Sequence, residues 1–312
     1  MNRRNFLASA ATTAAILSIG AKSSPAAAPS LPSTPSTTPP SGPAVRKLKK
    51  SVKYGMIGAG ATVMEKFQIL RDIGFDGVEL DSPNDLALDE VLKAKEATGI
   101  EVPGVVDSVH WAKPLSDANP DVRAEGRVAL ERAIRDCKAY GGSSVLLVPA
   151  VVNKQTSYAD AYTRSQDEIR KVLPLARETG IKIAIENVWN GFLLSPLEAA
   201  RYTDELDPAW VGWHFDIGNI VNFGWPEHWI PVLGNRIWKL DVKEFSRKKR
   251  DDEGLWKGFA SEIGDGDCDW PTVMKAIDAI GYGNGWAAAE VRGGDQARLK
   301  DVYERMCRVL DH

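Results

Sequence analysis

The chain has 312 residues, 44% of them hydrophobic and 26% charged, with a formal net charge of −3. That balance is too acidic for a nucleic-acid surface and too apolar for a disordered chain. The three cysteines, Cys137, Cys268 and Cys307, are widely spaced, odd in number and form no CxxC pair, which excludes a disulfide framework.

The chain opens MNRRNFLASAATTAAILSIGA: Arg3 and Arg4 precede Phe6 and Leu7, and an alanine-rich apolar stretch follows from Ala8 to Ile19. A basic start and a short, weakly apolar segment predict a signal for the twin-arginine export machinery over residues 1–28, and hence a periplasmic or extracellular protein. The apolar segment is too short for a comfortable membrane span. No cysteine lies near the expected cleavage at Ala26 to Ala28, so no stable membrane anchor is expected. From Ala28 to Pro43 nearly every residue is Pro, Ser, Thr, Ala or Gly, and residues 29–50 read as a flexible linker. Residues 51–312 are then the folded domain, long enough for one large core.

Within that domain apolar strand-like runs alternate with amphipathic helical ones. The predicted strands are Lys53–Ile57, Gly77–Leu80, Glu101–Val106, Ser144–Val148, Lys182–Glu186, Gly212–Asp216, Ile237–Val242 and Ala287–Val291. Helical patterns between them include Thr62–Ile73, Leu86–Thr98, Asp121–Tyr140, Tyr158–Thr179 and Pro196–Leu206. Gly74, Gly99, Gly141 and Gly180 stand where left-handed C-caps are expected, and Asp85, Asn119 and Ser195 stand near helix starts. Eight such units over this length predict an α/β fold, a single closed (β/α)8 barrel of the TIM type, rather than an open sheet.

One run imitates a dinucleotide-binding loop. In IGAGATVMEKF, Gly58 and Gly60 open a helix, and Glu79 ends the next strand. Val63 replaces the third glycine, however, and no second domain follows, so the run reads as a tight βα turn. Two other segments read as local structure. GDGDCDW, with Asp265, Asp267 and Asp269, lacks the glycine and late glutamate of a calcium loop and reads as a capped turn before a helix at Trp270. SRKKRDDE, from Ser246 to Glu253, reads as a solvated loop.

The chemistry concentrates at the ends of the last four strands. IKIAIEN, VGWHFDIGN, RIWKLDVKE and WAAAEVRGG each turn polar at an acid: Glu186, Asp216, Asp241 and Glu290. A closed parallel barrel delivers its strand ends to one face, so these four carboxylates converge. Their mutual repulsion calls for a cation, and an all-oxygen donor set favours Mn or Mg over Zn. His110, Glu79, Asn187, Trp189, Asn219, Lys243 and Arg292 fall on or near the same face and are candidate substrate-binding residues. Lys243, two residues beyond Asp241, lies on the same side of its strand. His214, two residues before Asp216, reads as a packed residue behind the metal ligands. Trp189, Trp225 and Trp256 are candidate flat apolar surfaces for a substrate.

IAIEN, FDIGN, KLDVKEF and AAAEVRGG in succession resemble the xylose-isomerase-like barrel superfamily, in particular its sugar phosphate isomerase/epimerase group, with ketose 3-epimerases and inosose dehydratase relatives. The resemblance spans roughly Ser51 to the C-terminus. It implies a divalent metal held by Glu186, Asp216, the residue at position 241 and Glu290. Relatives usually carry histidine at that third position within an "HxKD" run; here it is Asp241. Relatives also carry histidine three residues after the second ligand, where this chain has Asn219.

The resemblance further implies proton abstraction next to a carbonyl, with the metal stabilising an enediolate and Glu186 and Glu290 exchanging the proton on the two faces. The expected protein is an exported, metal-dependent sugar isomerase or epimerase acting on an unphosphorylated sugar, keto-sugar or cyclitol. A metal-dependent lyase or dehydratase is the alternative enzyme class, and a non-catalytic sugar-binding barrel is the alternative outside catalysis.

Overall fold

Eight short parallel strands close on themselves in the computed structural model, which describes residues 46–311. The residues read as export signal, and nearly all of those read as linker, lie outside the described part. In chain order, β1 (Lys49–Lys53) leads through a 3-10 turn at Tyr54–Met56 to α1 (Val63–Ile73), β2 (Gly77–Ser82) to α2 (Leu88–Thr98), and β3 (Gly104–Asp107) to α3 (Pro120–Tyr140). β4 (Ser144–Leu147) is followed by α4 (Tyr158–Thr179), β5 (Lys182–Glu186) by α5 (Pro196–Asp204), and β6 (Val211–Asp216) by the short α6 (Ile217–Val221) and by α7 (Pro226–Leu233). β7 (Ile237–Val242) precedes α8 (Arg247–Glu253), a 3-10 stretch at Leu255–Ala260 and α9 (Trp270–Ala279); β8 (Trp286–Ala289) and α10 (Gln296–Leu310) complete the ring. Each strand pairs with its successor, and β8 closes on β1.

Local sequence accounts for many of the boundaries. Gly74, Gly99, Gly141 and Gly180 take left-handed φ values at the ends of α1 to α4, a conformation that costs residues with a Cβ energy. Thr62 and Glu65 form a reciprocal capping box at the start of α1, while Asn119, Ser195 and Asp269 cap α3, α5 and α9. The core lies between the barrel wall and the helices. Phe67, Leu80, Trp213 and Phe215 are fully buried there, and burial of such a side chain contributes roughly 1.5–3 kcal/mol.

Several boundaries move from their predicted places. The first strand is Lys49–Lys53 rather than Lys53–Ile57, so Lys49 and Lys50, read as linker, are barrel residues. Beyond Lys53 the chain turns, and Ile57 keeps only an isolated bridge to Gly294. The dinucleotide-like glycines serve that approach: a Cβ on Gly58 would lie 2.7 Å from the Gly294 carbonyl oxygen, and the Gly58 amide donates to that oxygen at 2.8 Å. Ala87, not Asp85, precedes α2 and provides no side-chain cap. SRKKRDDE is a helix, not a loop: Ser246 accepts from the Lys249 amide, and Lys248 and Asp252 pair one turn apart on an exposed face. Among the described residues, no helix is long and apolar enough to cross a membrane.

Candidate metal centre and active site

Strand register decides which acids meet. Along β6 and β7, Trp213 pairs with Ile237 but His214 pairs with Lys239, so one extra residue, Trp238, is accommodated on β7. That bulge sets Asp216 beside Asp241. Without it Asp216 would stand opposite Leu240, whose side chain points to the other face. β5 ends on Glu186, and Glu290 follows β8 directly, its amide donating to the Val242 carbonyl at 3.2 Å.

The result is one cluster. A carboxylate oxygen from each of Glu186, Asp216, Asp241 and Glu290 lies within 4.8 Å of the others. Asp216 and Asp241 are wholly buried, Glu186 is nearly so, and the Glu290 side chain is 36% exposed at the mouth. Asn187 holds Asp216 in place through its backbone: the side chain donates to the Asp216 carbonyl at 2.7 Å and accepts from its amide at 2.9 Å. Asn219 donates its amide to Asp216 Oδ1 at 2.8 Å and its side chain to the Asn187 carbonyl at 2.9 Å.

Three lysines thread between the acids. Lys243 Nζ stands 3.0 Å from both Asp216 Oδ2 and Glu290 Oε1. Lys53 Nζ lies 2.6 Å from Glu79 Oε2 and 2.9 Å from Asp241 Oδ1. Deeper in the barrel, Lys239 Nζ reaches Glu79 Oε1 at 3.3 Å and donates to the Pro103 carbonyl at 2.8 Å. Gly104 leaves room for that ammonium, since a Cβ there would overlap it. His214 Nε2 lies 2.9 Å from Asp241 Oδ1. The barrel interior is thus ionic at this level, not an apolar plug.

These contacts split the carboxyls into two kinds. Burial would raise Asp241, but His214 and Lys53 outweigh it and hold the group well below the usual carboxylate range. Glu79, equally buried, is drawn down to about 2 by Lys53, His214 and Lys239. Burial wins at the mouth. Glu186 is pushed well above its ordinary value by burial, then by Glu290 and Asp241; Asp216 rises to about 7, burial exceeding the pull of Lys243. Glu290 is raised by burial against the pull of Lys243. Burial alone would lower Lys243 and Lys53, but the adjoining carboxylates hold both ammonium groups above their ordinary values.

The residues fit a divalent cation on two grounds. Asp216 Oδ2 and Asp241 Oδ1 are buried, and the groups nearest them, Lys243 at 3.0 Å for the first and Lys53 and His214 at 2.9 Å for the second, make ion-pair contacts but no well-formed hydrogen bond. With each carboxyl ionised and His214 left aside, Glu79, Glu186, Asp216, Asp241 and Glu290 exceed Lys53, Lys239 and Lys243 by two charges, which one divalent cation balances. A second grouping, Glu79 with His214 and Asp241, has both acids already matched to lysines and offers no comparable vacancy of charge.

A two-lobed cleft lies over the cluster. One lobe, about 350 Å³, is bounded by Lys53, Asp81, His110, Trp111, Glu186 and Glu290, among others. The other, about 300 Å³, is bounded by Trp111, Glu186, Trp189, Asn219, Lys243, Trp256, Phe259 and Glu290. His110 is buried, and its Nδ1 accepts from the Val148 amide at 3.2 Å, which leaves Nε2–H as a donor. Burial lowers its pKa to about 4, so the ring is neutral at pH 7.

Of the residues predicted to bind substrate, His110, Trp189, Asn219 and Lys243 line the cleft. The other three have different surroundings. Asn187 uses both side-chain ends on the Asp216 backbone and lines neither lobe. Glu79 is sealed below the cluster between two lysines. Arg292 is exposed and faces a separate cavity with Glu262, Asp295 and Arg298. Trp225 also lines neither lobe; it packs with His228 and Arg247.

Sequence reasoning passed over Lys53 and Lys239. Lys239 left a trace: it is a cation inside a barrel strand, two residues before Asp241 and on the same face, and such a residue requires a buried acid. Lys53→Met is expected to destabilise the protein by about 3 kcal/mol, the lower end for removing one partner of a buried pair, because Glu79 keeps Lys239 and Asp241 keeps His214. Denaturant titration measures this, and an unchanged midpoint would contradict the ion-pair account.

Fold and site together define a (β/α)8 barrel with an acid-lined mouth suited to a divalent cation. A family model described as the xylose isomerase-like TIM barrel matches residues 67–311, and the chain belongs to that family. Among curated proteins it is similar to the L-ribulose-5-phosphate 3-epimerase UlaE of Escherichia coli, 26% identical over an alignment of 191 residues that covers 55% of this chain. The match spans 66% of that relative's length. Among solved structures, the 3-keto-D-glucoside 4-epimerase YcjR of E. coli superposes with a TM-score of 0.69 at 18% identity, over 84% of this chain and 99% of the other. An L-ribulose 3-epimerase gives 0.70 at 17% identity, over 85% and 95%. The IOLI protein with a bound zinc atom gives 0.67 at 15%, over 84% and 98%. At these identities the structural likenesses establish the fold.

Proposed function

We propose that the protein is a divalent-metal-dependent epimerase or isomerase of keto-sugars, working by proton transfer at the carbon next to a carbonyl. The observation that carries this reading is the pair Glu186 and Glu290, drawn from opposite ends of the last four strands yet bounding both lobes of one cleft. The curated relatives, named as sugar epimerases, support the same reaction class. Glu186, Asp216, Asp241 and Glu290 would hold the cation, Mn or Mg by their all-oxygen donor set. When bound it supplies Lewis-acid polarisation of the substrate carbonyl and neighbouring hydroxyl.

The protein's own groups supply the rest. Glu186 and Glu290 take the proton from one face of the carbon and return one to the other. Lys243 and the His110 N–H stand by to offset negative charge on substrate oxygens. Of the cations lining the cleft, Lys53 and Lys243 are both committed to carboxylates, which favours an unphosphorylated substrate. Export through the twin-arginine route is proposed on Arg3, Arg4 and the apolar stretch behind them, and it favours the same substrate choice.

The test is direct. The purified protein is assayed for bound metal and incubated with keto-sugars in deuterated water. Deuterium appearing next to the carbonyl is the expected result, whereas loss of water or of an aglycone would assign the site to a lyase. A metal-free protein that exchanges no candidate would remove the catalytic reading.

A further inference from the structure

The two lobes of the cleft differ in chemistry. Around the first, Lys53, Asp81 and His110 present ionic and hydrogen-bonding groups beside the aliphatic Met56, Val106 and Leu146. Around the second the wall is aromatic: Trp111, Trp189, Trp256 and Phe259. Trp189 packs against Trp256 at 5.0 Å between ring centroids, with the planes 39° apart, and against Phe259 at 4.8 Å. The Trp189 indole N–H donates to the Asn219 carbonyl at 2.8 Å, which ties this wall to the same residue that braces Asp216. Trp111 and Trp256 are 52% and 68% exposed. Large aromatic faces left in water beside a reacting centre are unusual unless something covers them.

We propose that this aromatic lobe is a subsite for a second sugar ring, so that the substrate is a keto-glycoside of at least two rings. The inference rests on the proposed epimerase reading and adds the substrate class. Three observations select a ring over other occupants. Both lobes are bounded by Glu186, Glu290 and Trp111, so a molecule reacting at the carboxylates continues into the aromatic lobe. Each lobe has a volume suited to a small ligand of its own. The wall is built from rings rather than aliphatic chains, Val188 being its one aliphatic side chain, and flat rings match the C–H face of a pyranose better than a hydrocarbon tail. Asn219 and Lys243 at its inner edge leave polar partners for hydroxyls.

The experiment has a binding arm and a reaction arm. Calorimetry on the metal-loaded protein compares unoxidised disaccharides (cellobiose, maltose, lactose and trehalose) with the methyl glycosides of their single rings. At least one disaccharide is expected to bind about tenfold tighter than its monosaccharide, and Trp256→Ala is expected to cut that ratio below about twofold, the tenfold preference amounting to 1.4 kcal/mol. Trp256 is largely exposed, so circular dichroism should show its variant folded. Equal affinity for one and two rings across the panel, or a ratio untouched in Trp256→Ala, overturns the proposal. Deuterium exchange on 3-keto-disaccharides and on free keto-sugars separates the two readings. Exchange that treats both alike leaves the epimerase and removes the subsite. A disaccharide preference in binding with no exchange on any sugar retains the subsite and removes the epimerase.

Discussion

Glu186→Gln is expected to lower the rate of deuterium incorporation by about 10²–10⁴-fold, the range for loss of a positioned acid–base group. The amide keeps the size and shape of the carboxyl but neither accepts a proton from carbon at neutral pH nor provides an anionic ligand. A folding defect would give the same loss, and the electrostatics separate the two. Glu186 is buried beside Glu290 and Asp241, and its pKa is raised well above the ordinary value. Native protein therefore pays for ionising it at neutral pH, and removing the charge should raise the melting temperature of metal-stripped protein. With Mn or Mg present the sign should reverse, because a ligand has been lost. Glu290→Gln should match the rate defect, with a smaller stability change, since its side chain is more than a third open to solvent (36%). Retention of exchange within about tenfold in Glu186→Gln, below the usual range for such a group, would assign proton transfer to another residue.

The second large effect is the pH dependence of stability when the metal is removed. Asp216 rises to about 7, and Glu186 and Glu290 are also raised. Between the unfolded carboxyl pKa, about 4, and those native values, the folded state holds more protons than the unfolded one. Their contribution is then fully present below about pH 4 and lost as pH rises through each raised native value, about 7 for Asp216. Asp216 alone is worth up to roughly 4 kcal/mol by this linkage. Glu79 and Asp241 act with the opposite sign: their low native pKa values give stability above about pH 4 that is lost on acidification. Metal-stripped protein should accordingly be most stable near about pH 4–5 and weaken toward about pH 8.

A divalent cation bound to the native state alone should flatten the alkaline side of that profile and add about 2.7 kcal/mol at a hundredfold excess over its Kd. Exchange activity should vanish with chelation and return with Mn or Mg. Melting curves with chelator or with metal across this pH range provide the measurement. A stripped protein equally stable at both ends would mean that the mouth acids are not mutually strained.

Much of this site was legible because its signals are local. The apolar runs, the glycines after α1 to α4 and the capping residues Asn119 and Ser195 act over a few residues, and each behaves as its neighbours dictate; Asp85 does not cap its helix. Strand alternation then brings Glu186, Asp216, Asp241 and Glu290 to one end of the barrel, since parallel closure leaves no other arrangement. The GDGDCDW reading also held in part: Asp269 caps α9 by accepting from the Thr272 amide. SRKKRDDE failed because charge pattern reports exposure, and an exposed segment is free to be helix or loop.

The barrel and the convergence of its acids follow from periodicity and caps, which are short-range properties of the chain. How those acids share charge follows from contacts that only folding creates. A bulge at Trp238 sets Asp216 against Asp241 instead of Leu240. Lys53 and Lys239, far from Glu79 in the chain, seal it below the cluster, and Asn187 holds the Asp216 backbone. Arg292, two residues beyond Glu290, faces a different cavity because β8 ends at Ala289 and the chain bends at Val291, so strand alternation no longer sets the side-chain direction. Ion pairing and register depend on which side chains closure brings within a few ångströms, and sequence separation carries no record of that distance.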